Sequence, residues 1–210
     1  MCGLTGFIDF SRGTDAETLK ERVEAMTEAL HHRGPDDGGA WTDAEAGVAL
    51  GFRRLSIIDL SAHGHQPMSS ASGRYVIIFN GEVYNFHDLR KELTAAGANL
   101  KGNSDTEVIL EAIEAWGLEK AVKRFIGMFA IALWDRSERT LHLIRDRLGV
   151  KPLYWGRQGN LLLFGSELKA LRAHPEWTPE INRGALAAYF RYAYVPAPHS
   201  IYTGIEKQLP

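Results

Sequence analysis

The sequence contains a single cysteine among 210 residues, and one cysteine cannot form an internal disulfide. It has no apolar stretch long enough to cross a bilayer. Its N-terminus also lacks the basic segment followed by an apolar one that marks a secretory signal. These absences predict a cytoplasmic protein without a membrane partner, in which the thiol stays reduced.

The sequence also lacks an excess of positive or negative charge. The 24 Lys and Arg residues nearly balance the 26 Asp and Glu residues, and no long run has one sign, which argues against nucleic acid as a partner. The sequence has neither a G-x-x-x-x-G-K phosphate loop nor a nucleophile elbow. His31 with His32, and His63 with His65, have no second spaced set of ligands, so no metal site is predicted.

Apolar spacing predicts helices and short strands. Leu19, Val23, Met26 and Leu30 recur at helical spacing from Asp15 onward. Further helices are predicted at residues 86–96, 104–116, 167–172 and 183–192, and strands at residues 3–10, 74–79, 127–134, 140–144, 153–155 and 161–164. Short connections between consecutive strands favour antiparallel sheets, and strands that are apolar on both faces favour sheets covered on both sides. We therefore expect an α+β fold in which two packed, mainly antiparallel sheets are flanked by helices.

Cys2 is the first candidate for chemistry. Methionine before a small residue is normally removed, which would leave Cys2 at the N-terminus with both a thiol and a free α-amine. An ionised thiol is a strong nucleophile, and an α-amine titrates at about pH 8, so it can act as a base near neutrality. Nucleophile and base can thus share one residue. The alternative is a small core side chain that happens to lie second in the chain.

Other polar residues each allow a structural and a functional interpretation. Asn80 with Gly81 is a typical hairpin turn, yet an Asn amide beside a Gly N–H can also form an oxyanion hole. Arg54 can be a charge at a sheet edge or can bind a carboxylate. Asp105 can complement a helix dipole or receive an ammonium, and Glu82 has the same two interpretations. Taken singly, these residues leave the alternatives open.

A set of ordered motifs narrows the alternatives. In chain order they are MCGLTG at residues 1–6, HRGPD at 32–36, RLSIID at 54–59, FNGEVYN at 79–85, SDTE at 104–107, RDRLGVKPLY at 145–154 and SELKAL at 166–171. Their identity, order and spacing resemble the class II glutamine amidotransferases, which are N-terminal-nucleophile glutaminases. The run YAYVPAP at 192–198 is similar to the exit from the glutaminase domain of glutamine-hydrolysing asparagine synthetases.

The resemblance implies a fold and a reaction. The fold would be the four-layer αββα arrangement of N-terminal-nucleophile hydrolases. The reaction would convert glutamine to glutamate and ammonia through a γ-glutamyl thioester on Cys2, with Asn80 and Gly81 as the oxyanion hole. The resemblance implies no metal or cofactor for this domain.

The same resemblance implies how glutamine is bound. Arg54 would hold the α-carboxylate of glutamine. Asp105, together with the segment of Gly81 and Glu82, would hold the α-ammonium. Glutamine is therefore the expected small-molecule partner.

A domain organisation is implied as well. Residues 2–193 would form the glutaminase domain, and residues 194–210 would begin a linker to a C-terminal synthetase domain that uses ATP and Mg²⁺ to make asparagine from aspartate. No Ser-Gly-Gly-x-Asp-Ser pyrophosphatase loop occurs in the sequence, so that domain would be a further partner, and a homodimer is left open. The alternatives are another class II amidotransferase, which residues 195–198 disfavour, and a silent glutamine-binding module, which an intact Cys2 disfavours.

Overall fold

The computed structural model describes residues 1–59 and 61–210, and its strands form two antiparallel sheets. Sheet A contains β1 (Gly3–Asp9), β2 (Asp37–Asp43), β3 (Val48–Arg54), β8 (Tyr154–Gln158), β9 (Leu161–Gly165) and β10 (Ile205–Lys207), in the order β10-β8-β9-β1-β3-β2. Sheet B contains β4 (Met68–Ser69), β5 (Tyr75–Val83), β6 (Gly127–Asp135) and β7 (Thr140–Arg145), in chain order. Hairpin connections between neighbouring strands account for much of this antiparallel order.

Six α-helices accompany the sheets within residues 1–59 and 61–210. They are α1 (Ala16–Glu28), α2 (Phe86–Ala95), α3 (Asp105–Trp116), α4 (Leu118–Arg124), α5 (Leu168–Arg172) and α6 (Arg183–Tyr192). Asp15 begins α1 by accepting a hydrogen bond from the Thr18 N–H, and Ser104 begins α3 by accepting one from the Glu107 N–H. None of the helices in the described part of the chain has the length and apolarity that spanning a membrane requires.

Alternating side chains place the sheets face to face. In β5, Ile77 and Phe79 pack against α2, α3 and α4, whereas Val76 and Ile78 point into the layer between the two sheets. In β1, Phe7 packs against α1 and α5 on the opposite surface of the molecule. The layers are therefore helix, sheet, sheet, helix, which confirms the predicted four-layer αββα fold.

Strands β2, β3, β4 and β10 and helix α4 were not among the predicted elements. In β2 the run Asp-Asp-Gly-Gly at residues 36–39 has the composition of a turn, yet the strand begins at Asp37. A Cβ on Gly39 would lie 2.3 Å from the Gln66 carbonyl oxygen, so the glycine permits a loop to cross the strand. Helix α4 was not predicted, because its seven residues carry few apolar positions.

The last residues extend sheet A. Residues 194–210 were expected to begin a linker, and in the structure β10 pairs with β8 within this segment. The Arg145 guanidinium joins the segment to the body of the domain: it donates to the carbonyl oxygens of Gly149, Lys151 and Gln208 at 2.5, 2.7 and 2.5 Å. The position of the domain boundary stays a prediction.

Candidate active site

A cavity of about 110 Å³ opens at one end of the layer between the two sheets. All six residues that the sequence analysis selected line it, namely Cys2, Arg54, Asn80, Gly81, Glu82 and Asp105. They belong to four separate segments: the residue before β1, the end of β3, the last part of β5 and the first turn of α3. The fold thus brings together residues that are far apart in the sequence.

Strand alternation explains why three of these side chains meet. The inward row of β1 runs from Ile8 through Leu4, and Cys2 lies two residues further along it. The inward row of β3 ends in the same way at Arg54, and that of β5 at Asn80. Residues two apart in a strand share a face, so each apolar row between the sheets ends in a reactive or polar side chain.

Cys2 is half-buried and lies just beyond the end of β1. Its Sγ atom is 3.4 Å from the backbone nitrogen of Leu55 and 3.6 Å from the carbonyl oxygen of the same residue. Its own carbonyl oxygen accepts a hydrogen bond from Nε of Arg33 at 2.9 Å. The thiol therefore faces the cavity with a backbone N–H donor beside it.

Asn80 and Gly81 lie in the interior of β5, where they pair with Ala130 and Phe129 of β6. The hairpin-turn interpretation of this dipeptide is therefore wrong. Asn80 is 1% exposed, and among the described residues its amide Nδ2 has no hydrogen-bond partner. A buried donor without an acceptor costs about 1–3 kcal/mol, so this amide is suited to an oxygen atom supplied by a ligand.

Gly81 is required by the close packing of β5 against β6. A Cβ at this position would lie 2.2 Å from the carbonyl oxygen of Met128 and 2.6 Å from Cα of Phe129. No L side chain fits there without moving the neighbouring strand. Any ligand oxygen at Asn80 therefore meets bare backbone beside the amide.

Arg54 is buried, and the following loop holds its guanidinium. Nη1 donates to the Ser61 carbonyl oxygen at 3.1 Å, and Nη2 donates to the carbonyl oxygen of Asp59. Hydrogen bonds from Ser61 and from the Asn103 N–H lower the pKa of Asp59 to about 2, so this loop carries its own negative charge. A guanidinium has five N–H donors, which leaves Arg54 able to bind a carboxylate in the cavity.

Asp105 is 5% exposed, and its Oδ2 atom accepts a hydrogen bond from the Val83 N–H at 3.1 Å. Burial, with a smaller contribution from the nearby charge of Glu82, raises the pKa of this carboxyl to about 6. At neutral pH the group is ionised in spite of its burial. A ligand cation in the cavity would compensate for that charge.

Gln66 and Lys151 are two polar residues of the cavity wall that were not among the predicted site residues. Gln66 accepts a hydrogen bond from the Phe79 N–H at 2.6 Å and donates to Oγ1 of Thr106 at 3.2 Å, so it joins β5 to α3. Lys151 is buried and lines the cavity. The hydrogen bonds of Gln66 reach residues 13 and 40 positions away, and no local pattern reveals contacts of that range. Lys151 lies within the motif at residues 145–154, but the motif alone does not place its side chain in the cavity wall.

Both signs of charge line the cavity. Arg54 and Lys151 supply two cations, and Asp59, Glu82 and Asp105 supply three carboxylates, of which Asp59 belongs to the loop that holds the Arg54 guanidinium. Within residues 1–59 and 61–210, no group of three or more His, Cys, Asp or Glu side chains is arranged to hold a metal ion. The arrangement is suited to a small zwitterion with a carboxylate and an ammonium.

Comparison with known proteins gives consistent matches. Residues 1–210 match a family model described as a glutamine amidotransferase domain. The chain is 41% identical to glutamine-hydrolyzing asparagine synthetase 3 of Bacillus subtilis (strain 168), over 100% of this chain and 34% of that protein. It is 40% identical to a putative glutamine-hydrolyzing asparagine synthetase of Mycobacterium bovis, over 99% of this chain and 34% of that protein. The chain therefore spans about a third of the length of these curated relatives.

A solved structure shares the fold. Glutamine phosphoribosylpyrophosphate amidotransferase from Bacillus subtilis, complexed with ADP and GMP, has a TM-score of 0.69 over 86% of this chain and 45% of that chain. The two sequences are 20% identical, so this likeness concerns the architecture alone.

Proposed function

This chain belongs to the glutamine amidotransferase domain family, and on that premise we propose that it hydrolyses glutamine to glutamate and ammonia with Cys2 as the nucleophile. The observation that carries the proposal is that the Cys2 thiol lines the same cavity as the amide of Asn80, which has no hydrogen-bond partner in the described part of the chain. A nucleophile and an unused buried donor are the two groups that attack on a carboxamide requires.

The charged side chains support a free amino acid as the substrate. Arg54 offers a planar fork that matches an α-carboxylate, and Asp105 offers a buried negative charge that matches an α-ammonium. Glu82 lines the same cavity and adds to the negative field. A substrate held at its α-carbon by these groups presents its side-chain carboxamide to Cys2 and Asn80.

In the proposed reaction, the thiol passes its proton to the α-amine of Cys2, and the thiolate attacks the carbonyl carbon (Cδ) of the side-chain carboxamide of glutamine. The oxygen of the tetrahedral intermediate takes up the negative charge and accepts hydrogen bonds from Asn80 and the Gly81 backbone. The C–N bond breaks as the protonated amine gives its proton to the leaving nitrogen, which departs as ammonia. Water then adds to the γ-glutamyl thioester, the C–S bond breaks, and glutamate and the free thiol are formed.

The ammonia is proposed to serve asparagine synthesis in a longer protein. The two relatives described above carry the name asparagine synthetase, and this chain corresponds to about a third of each. ATP, Mg²⁺ and aspartate would be used by a C-terminal synthetase domain. The cytoplasmic location and the homodimer remain predictions.

Two alternatives are separated from this proposal by experiment. One is a different class II amidotransferase, since the phosphoribosylpyrophosphate enzyme shares the fold. The other is a domain that binds glutamine without hydrolysing it. A longer protein that makes asparagine from aspartate, ATP and glutamine would exclude the first alternative, and turnover by the domain would exclude the second.

The direct test compares wild type with Cys2→Ala. Wild type is expected to release glutamate and to form a γ-glutamyl adduct on Cys2 that mass spectrometry detects after rapid acid quenching. Cys2→Ala is expected to fold normally by circular dichroism and to release no glutamate above background. Glutamate release by the folded variant would overturn the assignment of the nucleophile.

A further inference from the structure

Cys2 extends past the ordered pairing of its own strand. The register of β1 with β3 begins at Gly3 opposite Arg53, so Cys2 lies outside the described strand. After removal of Met1, no residue precedes Cys2 to hold it from the other side. The position of the thiol and the amine then depends on contacts to the rest of the Cys2 residue.

Arg33 provides such a contact. Its Nε atom donates to the Cys2 carbonyl oxygen at 2.9 Å, and its side chain runs alongside Gly3, where an added Cβ would lie 3.3 Å from Cδ of Arg33. The arginine side chain is 8% exposed. A charge this deeply buried requires a counter-charge to stay in place.

Glu167 supplies that counter-charge. Its Oε1 atom lies 2.7 Å from Nη1 of Arg33 and 3.2 Å from Nε2 of His32, and its Oε2 atom lies 3.4 Å from Nζ of Lys169. Burial acts to raise the pKa of Glu167, but hydrogen bonds from Arg33 and His32 lower it overall, so the carboxylate is ionised at neutral pH. One carboxylate thus holds three basic side chains behind the nucleophile.

Ser166, the residue before Glu167, binds Leu4 in β1. Oγ of Ser166 accepts a hydrogen bond from the Leu4 N–H at 3.1 Å, and the Ser166 N–H donates to the Leu4 carbonyl oxygen at 2.8 Å. Ser166 therefore holds Leu4 directly, and Glu167 holds Cys2 indirectly through Arg33. This segment follows β9 and contributes no residue to the lining of the cavity.

We propose that Glu167 is a positioning residue, which acts through Arg33 on the carbonyl of Cys2 and so sets the direction in which the thiol and the α-amine enter the cavity. The inference rests on the proposed function, in which both groups of Cys2 react. A misplacement of about 1 Å can reduce a rate about a hundred-fold. Because Glu167 does not line the glutamine cavity, its loss is expected to affect turnover rather than binding.

The chain offers a matched control in Glu176. Its Oε1 atom lies 2.7 Å from Nη2 of Arg22, the same ion-pair distance as in the Arg33–Glu167 pair. Arg22 lies on α1 and makes no contact with Cys2 among its described hydrogen bonds and ion pairs. Glu167→Ala is expected to lower kcat about ten-fold to a hundred-fold with KM changed less than about three-fold, whereas Glu176→Ala is expected to leave both constants near the wild-type values.

Glu167→Gln keeps the shape and a hydrogen-bond acceptor, so it tests the charge if Glu167→Ala does not fold. It is expected to lower kcat by a smaller factor. A double-mutant cycle with Arg33→Met then tests the route of the effect, because Glu167→Gln should cause no further loss of kcat once Arg33 has been replaced. Full additivity in the cycle would overturn the proposed route through Arg33.

A second measurement does not depend on glutamine. Alkylation of Cys2 by iodoacetamide at neutral pH is expected to be slower in Glu167→Gln and Glu167→Ala than in wild type and Glu176→Ala, since a displaced thiol loses the Leu55 N–H donor. Absence of glutamate release by wild type would overturn the proposed function, and the alkylation rates would still decide the role of Glu167. If Glu167→Gln and Glu167→Ala fold and have the same kcat and alkylation rate as wild type, Glu167 is not a positioning residue.

Discussion

Replacement of Asp105 by asparagine should make the protein more stable and less active at the same time. Asn has the shape of Asp, and its Oδ1 atom can still accept the hydrogen bond from the Val83 N–H. The change therefore removes the buried charge with little effect on packing. If the proposed role is correct, it also removes the group that binds the α-ammonium of glutamine.

The pKa of Asp105 sets the size of the stability effect. Burial raises it from 3.8 to about 6, so the folded state holds the proton more tightly than the unfolded state. The resulting destabilisation is absent below about pH 4, grows as the pH rises to about 6, and is complete above that pH. This difference between the pKa of Asp105 in the folded and the unfolded state corresponds to a loss of at most about 3 kcal/mol in the free energy of unfolding. Asp105→Asn should therefore unfold at higher urea concentration than wild type at pH 7.5, with the gain disappearing near pH 4.

The activity should change in the opposite direction. Loss of one charge-assisted hydrogen bond of about 1.5–3 kcal/mol lowers kcat/KM for glutamine about ten-fold to a hundred-fold. In wild type, kcat/KM should also fall as the pH drops below about 6, because a protonated Asp105 cannot pair with an ammonium.

Asp88 provides the control for this experiment. It also lies in the first turn of a helix, α2, but its side chain is 81% exposed. Asp88→Asn should lose a little helix-dipole stabilisation and retain full activity. If Asp105→Asn is less stable than wild type at pH 7.5, the carboxylate has a structural role. If Asp105→Asn has the same kcat/KM for glutamine as wild type, glutamine is bound by other groups.

Three further predictions concern the same cavity. Protein that retains Met1 should be inactive because the Cys2 nitrogen is then part of a peptide bond, and enzymatic removal of Met1 should restore glutamate release; equal rates for both forms, with N-terminal sequencing of each, would contradict the amine as base. Asn80→Ala should reduce kcat about a hundred-fold to a thousand-fold while the urea midpoint stays near or above that of wild type, because the amide has no partner among the described residues; unchanged turnover would exclude Asn80 as an oxyanion donor. Arg54→Lys should raise KM for glutamine, because an ammonium cannot reproduce the guanidinium fork, and wild type should discriminate against glutamine amide; equal use of glutamine and its amide by wild type would refute carboxylate recognition.

The sequence was sufficient to predict the layers of the fold and six of the residues that line the cavity. The four layers follow from strands that are apolar on both faces, as in β5, where alternate residues face the helices and the other sheet. The motifs selected Cys2, Arg54 and Asn80 together, and the structure places all three beside one cavity.

The limits of prediction have physical causes. Asn80 and Gly81 have the composition of a turn, but their pairing with β6 is a long-range interaction that overrides the local preference. Gln66 bonds to Phe79 and Thr106, which lie 13 and 40 residues away. Glu167 meets Arg33 across a separation of 134 residues. A single sequence contains no local pattern for contacts of this range.

The Arg145 side chain connects two parts of the domain through its hydrogen bonds. Its Nη1 atom donates to the carbonyl oxygen of Gln208, close to β10, and its Nε atom donates to the carbonyl oxygen of Lys151 in the cavity wall. The segment at the outer edge of sheet A and the backbone of the cavity wall therefore share one guanidinium, so a displacement of Gln208 changes the geometry of the side chain that also holds the Lys151 carbonyl.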